Sequence, residues 1–99
     1  MTGFQIELTD EARGDLAHYA VSERKTIVEE IRVQLSHQPL ATTKNRKPLR
    51  ANPTASWELR IGRFRVFYEV DESSRIVTIT AVGDKERNLL FIRGKEVRL

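Results

Sequence analysis

The sequence predicts an α+β domain: an N-terminal strand, a two-helix hairpin, then an antiparallel three-stranded meander with a short C-terminal segment, both helices packed on one sheet face. Three observations predict it. Apolar residues alternate at Phe4, Ile6 and Leu8, recur at helical spacing through Ile27, Val28, Ile31 and Leu35, and alternate again on both sides of Gly62-Arg63. A chain of 99 residues with 39% hydrophobic content supports one core, so it is read as a single domain over 1–99.

Phe4 to Leu8 alternates with Gln5 and Glu7, the period of a half-buried strand. Thr9 or Asp10 can cap the helix that follows, with Asp10 and Glu11 in its first turn and Ala12, Leu16, Tyr19 and Ala20 on its apolar side. Ser22 offers the cap of a second helix, which must end before Pro39. From Pro39 to Ser56 apolar residues thin out and Pro48 and Pro53 intervene, predicting an exposed loop of the length that is usually functional.

Trp57 to Val70 reads as a hairpin. Gly62 at the first central position of a two-residue turn supplies a positive φ and sets the register: Ile61 opposite Phe64, Arg60 opposite Arg65, Leu59 opposite Val66, Glu58 opposite Phe67 and Trp57 opposite Tyr68. Trp57, Leu59, Ile61, Phe64, Val66 and Tyr68 then share the face beneath the helices. A third strand, Ile76 to Val82, follows the polar turn Asp71 to Arg75, and Gly83 ends it. Beyond it lie Lys85 and Arg87, the apolar pair Phe91-Ile92 and a charged tail.

Charge is unevenly placed. Residues 1–43 carry four Lys/Arg against seven Asp/Glu, a balance of −3, whereas residues 44–65 carry seven against one, a balance of +6. The basic stretch holds Lys44, Arg46, Lys47, Arg50, Arg60, Arg63 and Arg65, relieved only by Glu58, and such a cluster points to a polyanion. The alternative is a basic loop without a ligand. There is no cysteine, which removes disulfides and thiolate metal sites, and the two histidines, His18 and His37, are too few for a zinc centre. No metal and no cofactor are expected. Met1 to Thr9 lacks an export signal's basic start and apolar run, and no segment reaches the roughly 20 apolar residues that span a bilayer. A cytoplasmic protein without a membrane partner is the expectation.

On the face opposite the helices the register puts Glu58, Arg60, Arg65, Phe67 and Glu69, and that face is expected to be open. Arg60 facing Arg65 calls for an anionic neighbour, which Glu58, Glu69 or a ligand's phosphate can supply. Lys85 and Arg87, leaving the third strand, are expected to lean over the same concavity with Lys44 to Arg50. Phe67 and Phe91 are candidate platforms for nucleobases, or else core residues.

The runs WELRIGRFRVFYEVDE and VTITAVGDKERNLLFIRGKEV, in this order and spacing, resemble the RelE/ParE superfamily of bacterial type II toxin–antitoxin toxins. RelE-like members are ribosome-dependent endoribonucleases that cut messenger RNA; ParE-like members poison DNA gyrase. The resemblance assigns Arg60 to a basic position on the second strand, Arg65 to the hairpin arginine, Lys85 to the basic residue after the glycine and Phe91 to the terminal aromatic. The chain departs from the ribonuclease pattern in two places: Phe91 stands where a tyrosine aids proton transfer, and Glu58 occupies another basic position.

Cleavage of this type needs the 2′-OH deprotonated, the 5′-oxygen protonated and the phosphorane charge stabilised. Arg60, Arg65, Lys85 and Arg87 are the candidates for the last role, and Glu58 and Lys85 for proton transfer. Lys44, Arg46, Lys47, Arg50, Arg63, Phe67 and Phe91 are the candidates for holding RNA or ribosome. The resemblance implies a cognate antitoxin partner, with ribosome and messenger RNA as target. A gyrase-binding toxin and a degenerate, non-toxic relative stay open.

Overall fold

The computed structural model describes residues 3–99. Its elements run β1 (Gln5–Leu8), α1 (Asp10–Ala17), α2 (Val21–Leu35), β2 (Arg46–Pro48), β3 (Trp57–Ile61), β4 (Phe64–Asp71), β5 (Ile76–Glu86), β6 (Leu89–Ile92) and β7 (Lys95–Val97). The sheet order is β2-β3-β4-β5-β6-β7, with β1 parallel to the first half of β5. This is the α+β architecture predicted, with both helices on one sheet face.

The Thr9 hydroxyl accepts from the Ala12 N–H at 3.1 Å, satisfying one of the donors orphaned at the start of α1. Thr9→Ala is expected to lower stability by about 1 kcal/mol, read by urea denaturation. The second cap differs from expectation. Ala20, not Ser22, precedes α2, and the Glu23 carboxylate accepts from the Ala20 N–H at 3.0 Å. The helix starts there because Tyr19 is buried, its hydroxyl donating to Asp84 on β5, so the chain must turn immediately after it. Ile27, Ile31 and Leu35 then meet Leu59, Val66, Tyr68 and Ile79 in the main core.

All five predicted hairpin pairs form, from Trp57 opposite Tyr68 to Ile61 opposite Phe64, and Gly62 adopts φ +57°. Beyond the hairpin the sheet is larger than its local patterns announce. The loop contributes β2, which pairs antiparallel with β3. Gly83 does not end β5 but lies within it: a Cβ there would come 2.4 Å from the Phe91 carbonyl oxygen, so the absent side chain admits the neighbouring backbone. The charged tail folds back as β6 and β7, through turns at Arg87-Asn88 and Arg93-Gly94 whose residues all have positive φ.

The sheet face opposite the helices is therefore partly covered. Phe67 is fully buried there with Ala55, Ala81 and Leu90, and Leu49, Ile92 and Val97 pack around them. The expectation of an open face fails because residues 49–55 and the β6–β7 hairpin both fold over it. Asn52 shapes the first of these coverings: its amide donates to the carbonyls of Arg50 and Ala55 and its oxygen accepts from the N–H groups of Thr54 and Ala55. No helix among the described residues is long and apolar enough to cross a membrane.

Candidate nucleic-acid interface

Between these two coverings a groove of about 490 Å³ stays open, lined by Lys47 and Arg50 on one side, Glu58 and Lys85 on its floor, and Glu96 and Arg98 on the other side. β-Sheet register explains the floor. Lys47 pairs with Glu58 across β2–β3, Glu58 with Phe67 across β3–β4, and Arg65 with Gly83 across β4–β5, so Glu58, Arg65 and Lys85 share a face. Four cations against two carboxylates give the groove a net positive lining.

Arg65 lies beneath the groove with 7% of its surface exposed. One guanidinium nitrogen donates to the carbonyls of Gly62 at 2.7 Å and Phe64 at 2.9 Å, and Nε faces a Glu58 carboxylate oxygen at 3.6 Å, too far for a hydrogen bond. Among the described residues Nε consequently has no hydrogen-bond partner. Burial and the like charge of Arg60 push the Arg65 pKa below the ordinary arginine value, and Glu58 opposes the shift. The arginine remains a cation, since guanidinium does not give up its proton at physiological pH. The Glu58–Arg65 pair answers the need for an anion that the opposed arginines created. Lys85 is half-buried and offers its ammonium to the groove.

The other anticipated residues are dispersed. Arg60 and Lys44 are exposed but stand outside the groove lining, and Arg87 is an exposed turn residue with φ +54°. Arg46 points to the helix side, where its guanidinium donates to the carbonyls of Gln34 and Gln38 and caps the C-terminal end of α2. Arg63 is held by Glu23 at 2.7 Å and Asp84 at 3.3 Å and lies over the Phe64 ring, tying the hairpin turn to α2. Burial raises the Tyr19 pKa, and its bond to Asp84 raises it further, so this hydroxyl stays a donor in the same cluster.

One aromatic assignment needs correction, and a second residue lies outside the groove. Phe67 cannot stack on a base, because its side chain is fully enclosed. Phe91 lines a different pocket, with His18, Tyr19 and Arg63, because its partner across β5–β6 is Asp84 rather than Lys85. Reading along the chain missed Asn88, Glu96 and Arg98. The signal was present in Arg87-Asn88 and Arg93-Gly94, two-residue turns that return the chain to the sheet.

Fold and groove together define the class: an α+β domain with helices on one sheet face and a basic cleft on the other. The similarity extends to solved structures. Over 86% of this chain and 94% of the other, it matches a chain of the toxin–antitoxin complex RelBE2 from Mycobacterium tuberculosis, at 28% identity and a TM-score of 0.75. The fold is also that of the archaeal RelE–RelB complex from Pyrococcus horikoshii, with 19% identity over 88% of this chain and 99% of that one and a TM-score of 0.68. The isolated Escherichia coli RelE toxin matches with 17% identity over 85% of this chain and 86% of that one, at a TM-score of 0.64. No curated protein sequence matches. The family model for the ParE toxin of the type II toxin–antitoxin system parDE matches residues 6–89, and the chain belongs to that family.

Proposed function

We propose that this toxin is a ribosome-dependent messenger-RNA endoribonuclease that arrests translation. The observation that carries the reading is the meeting of a carboxylate, Glu58, and an ammonium, Lys85, on the floor of one cation-lined groove. A phosphate seated over Arg65 would place a ribose 2′-OH near Glu58, the general base. The 2′-oxygen attacks phosphorus as its proton passes to Glu58, the P–O5′ bond breaks, and the leaving oxygen takes a proton from Lys85. The products are a 2′,3′-cyclic phosphate and a 5′-OH, and the proton gained by Glu58 returns to Lys85 through solvent. Arg65, enclosed beneath the floor, adds its fixed positive charge to the field that stabilises the phosphorane. Lys47 and Arg50 hold flanking phosphates.

A second reading has its own support: the family carries the ParE name, and Phe91 offers no hydroxyl and lies on the far side of β5. In that reading the protein binds and poisons DNA gyrase without cutting RNA. Induction in cells, with messenger-RNA ends mapped and DNA damage scored in parallel, separates the two. The ribonuclease produces new ends within translated codons and no SOS response; the gyrase poison produces filamentation and an SOS response with messenger RNA intact.

A cognate antitoxin is the expected partner, supported by the toxin–antitoxin complexes among the similar structures. A flexible acidic segment of that partner would neutralise the groove and block it.

A further inference from the structure

We infer that the β6–β7 hairpin is the second wall of the substrate groove, and that Arg98 contacts a backbone phosphate of single-stranded RNA there. This deepens the endoribonuclease reading and rests on it.

Close pairing with β5 and a clamp on its turn hold the hairpin in place. Its three pairs with β5 run from Asp84/Phe91 to Glu86/Leu89. Gly83 lets the Phe91 carbonyl approach β5 more closely than any side chain would permit. Arg93, in the β6–β7 turn, donates through Nε to Asp15 at 2.7 Å and through a terminal nitrogen to the Glu11 carbonyl at 2.9 Å. Asp15 is itself buried and accepts from the Val82 N–H at 3.0 Å, so the turn, α1 and β5 are joined at one carboxylate. Gly14 completes the clamp: a Cβ on it would stand 2.1 Å from the Arg93 guanidinium, which therefore lies directly against the helix.

Covering Phe67 accounts for the apolar residues Leu90, Ile92 and Val97. It does not account for Arg98, whose side chain is 89% exposed and lines the groove opposite Lys47 and Arg50. Its ion pair with Glu96, at 3.3 Å, is a surface contact of the kind that contributes little and is readily exchanged for a phosphate. Cations on both sides and Lys85 between them suit a strand that passes along the groove with its backbone toward the protein, the arrangement of electrostatic single-strand channels.

The test is the salt dependence of binding to a fluorescent oligouridylate. Each phosphate contact on a single strand adds about 0.7 to the slope of log affinity against log salt, so Arg98→Ala is expected to lower that slope by about 0.7. Lys85→Ala is expected to lower it similarly. Arg13→Ala, which removes an exposed cation of α1 far from the groove, serves as the control and is expected to leave it unchanged. An unchanged slope in Arg98→Ala beside a reduced one in Lys85→Ala overturns the second wall and leaves the groove standing. Unchanged slopes in both variants overturn the groove and the endoribonuclease reading with it. A slope lowered equally in Arg13→Ala shows diffuse attraction and also overturns the wall.

Discussion

Lys85→Ala is expected to abolish growth arrest and to slow messenger-RNA cleavage by about 10²–10³-fold, measured in single-turnover assays on programmed ribosomes. The size follows from the groove. Lys85 provides a positive charge beside the developing phosphorane and a proton for the leaving oxygen, and removing one preorganised electrostatic group commonly costs that factor. The fold has little stake in this side chain, which is half-buried on the floor of the groove with no ion pair among the described residues. The melting temperature of the variant should therefore stay within a few degrees of the parent. Arrest at full strength in a folded Lys85→Ala protein would remove this groove from the chemistry.

Phe67→Ala is expected to cost about 3–5 kcal/mol of folding stability, read by denaturant unfolding, because it empties the centre of the smaller core. Against a total of roughly 5–15 kcal/mol for a small domain, that loss threatens folding at growth temperature. The damage would spread to the site by a mechanical route. Residues 49–55 and the β6–β7 hairpin rest on Phe67, and these are the two walls that carry Arg50 and Arg98. A stacking platform would have shown the reverse pattern, weaker RNA binding in a fully stable protein.

The contrast between Lys85 and Phe67 shows how far the chain can be read residue by residue. Both were assigned to the same concavity, Phe67 by alternation and register and Lys85 because it leaves the third strand beside the hairpin, and the register was right: Phe67 does face away from the helices, opposite Glu58. Alternation assigns a residue to a face but not to solvent or core, since what covers that face comes from elsewhere in the chain. Arg46 shows the same limit in the opposite sense. It belongs to the basic stretch by composition, yet its guanidinium is drawn to the carbonyls at the end of α2, the negative end of the helix dipole. Arg63 is drawn likewise to Glu23 and Asp84, which precede and follow it by many residues.

By itself the sequence determined the features governed by neighbours along the chain. The periods of 2 and 3.6, the Thr9 cap, the positive φ of Gly62 and the hairpin register that follows from it all depend on local backbone geometry and side-chain spacing. The same local words carried the resemblance to the toxin superfamily. Only the tertiary structure decided which cations share a site, that Arg65 sits buried against Glu58, and that the apparent tail is a hairpin walling the groove. Those outcomes turn on burial and charge pairing between segments distant in the chain, and no period in a single stretch of sequence encodes what will come to lie across it.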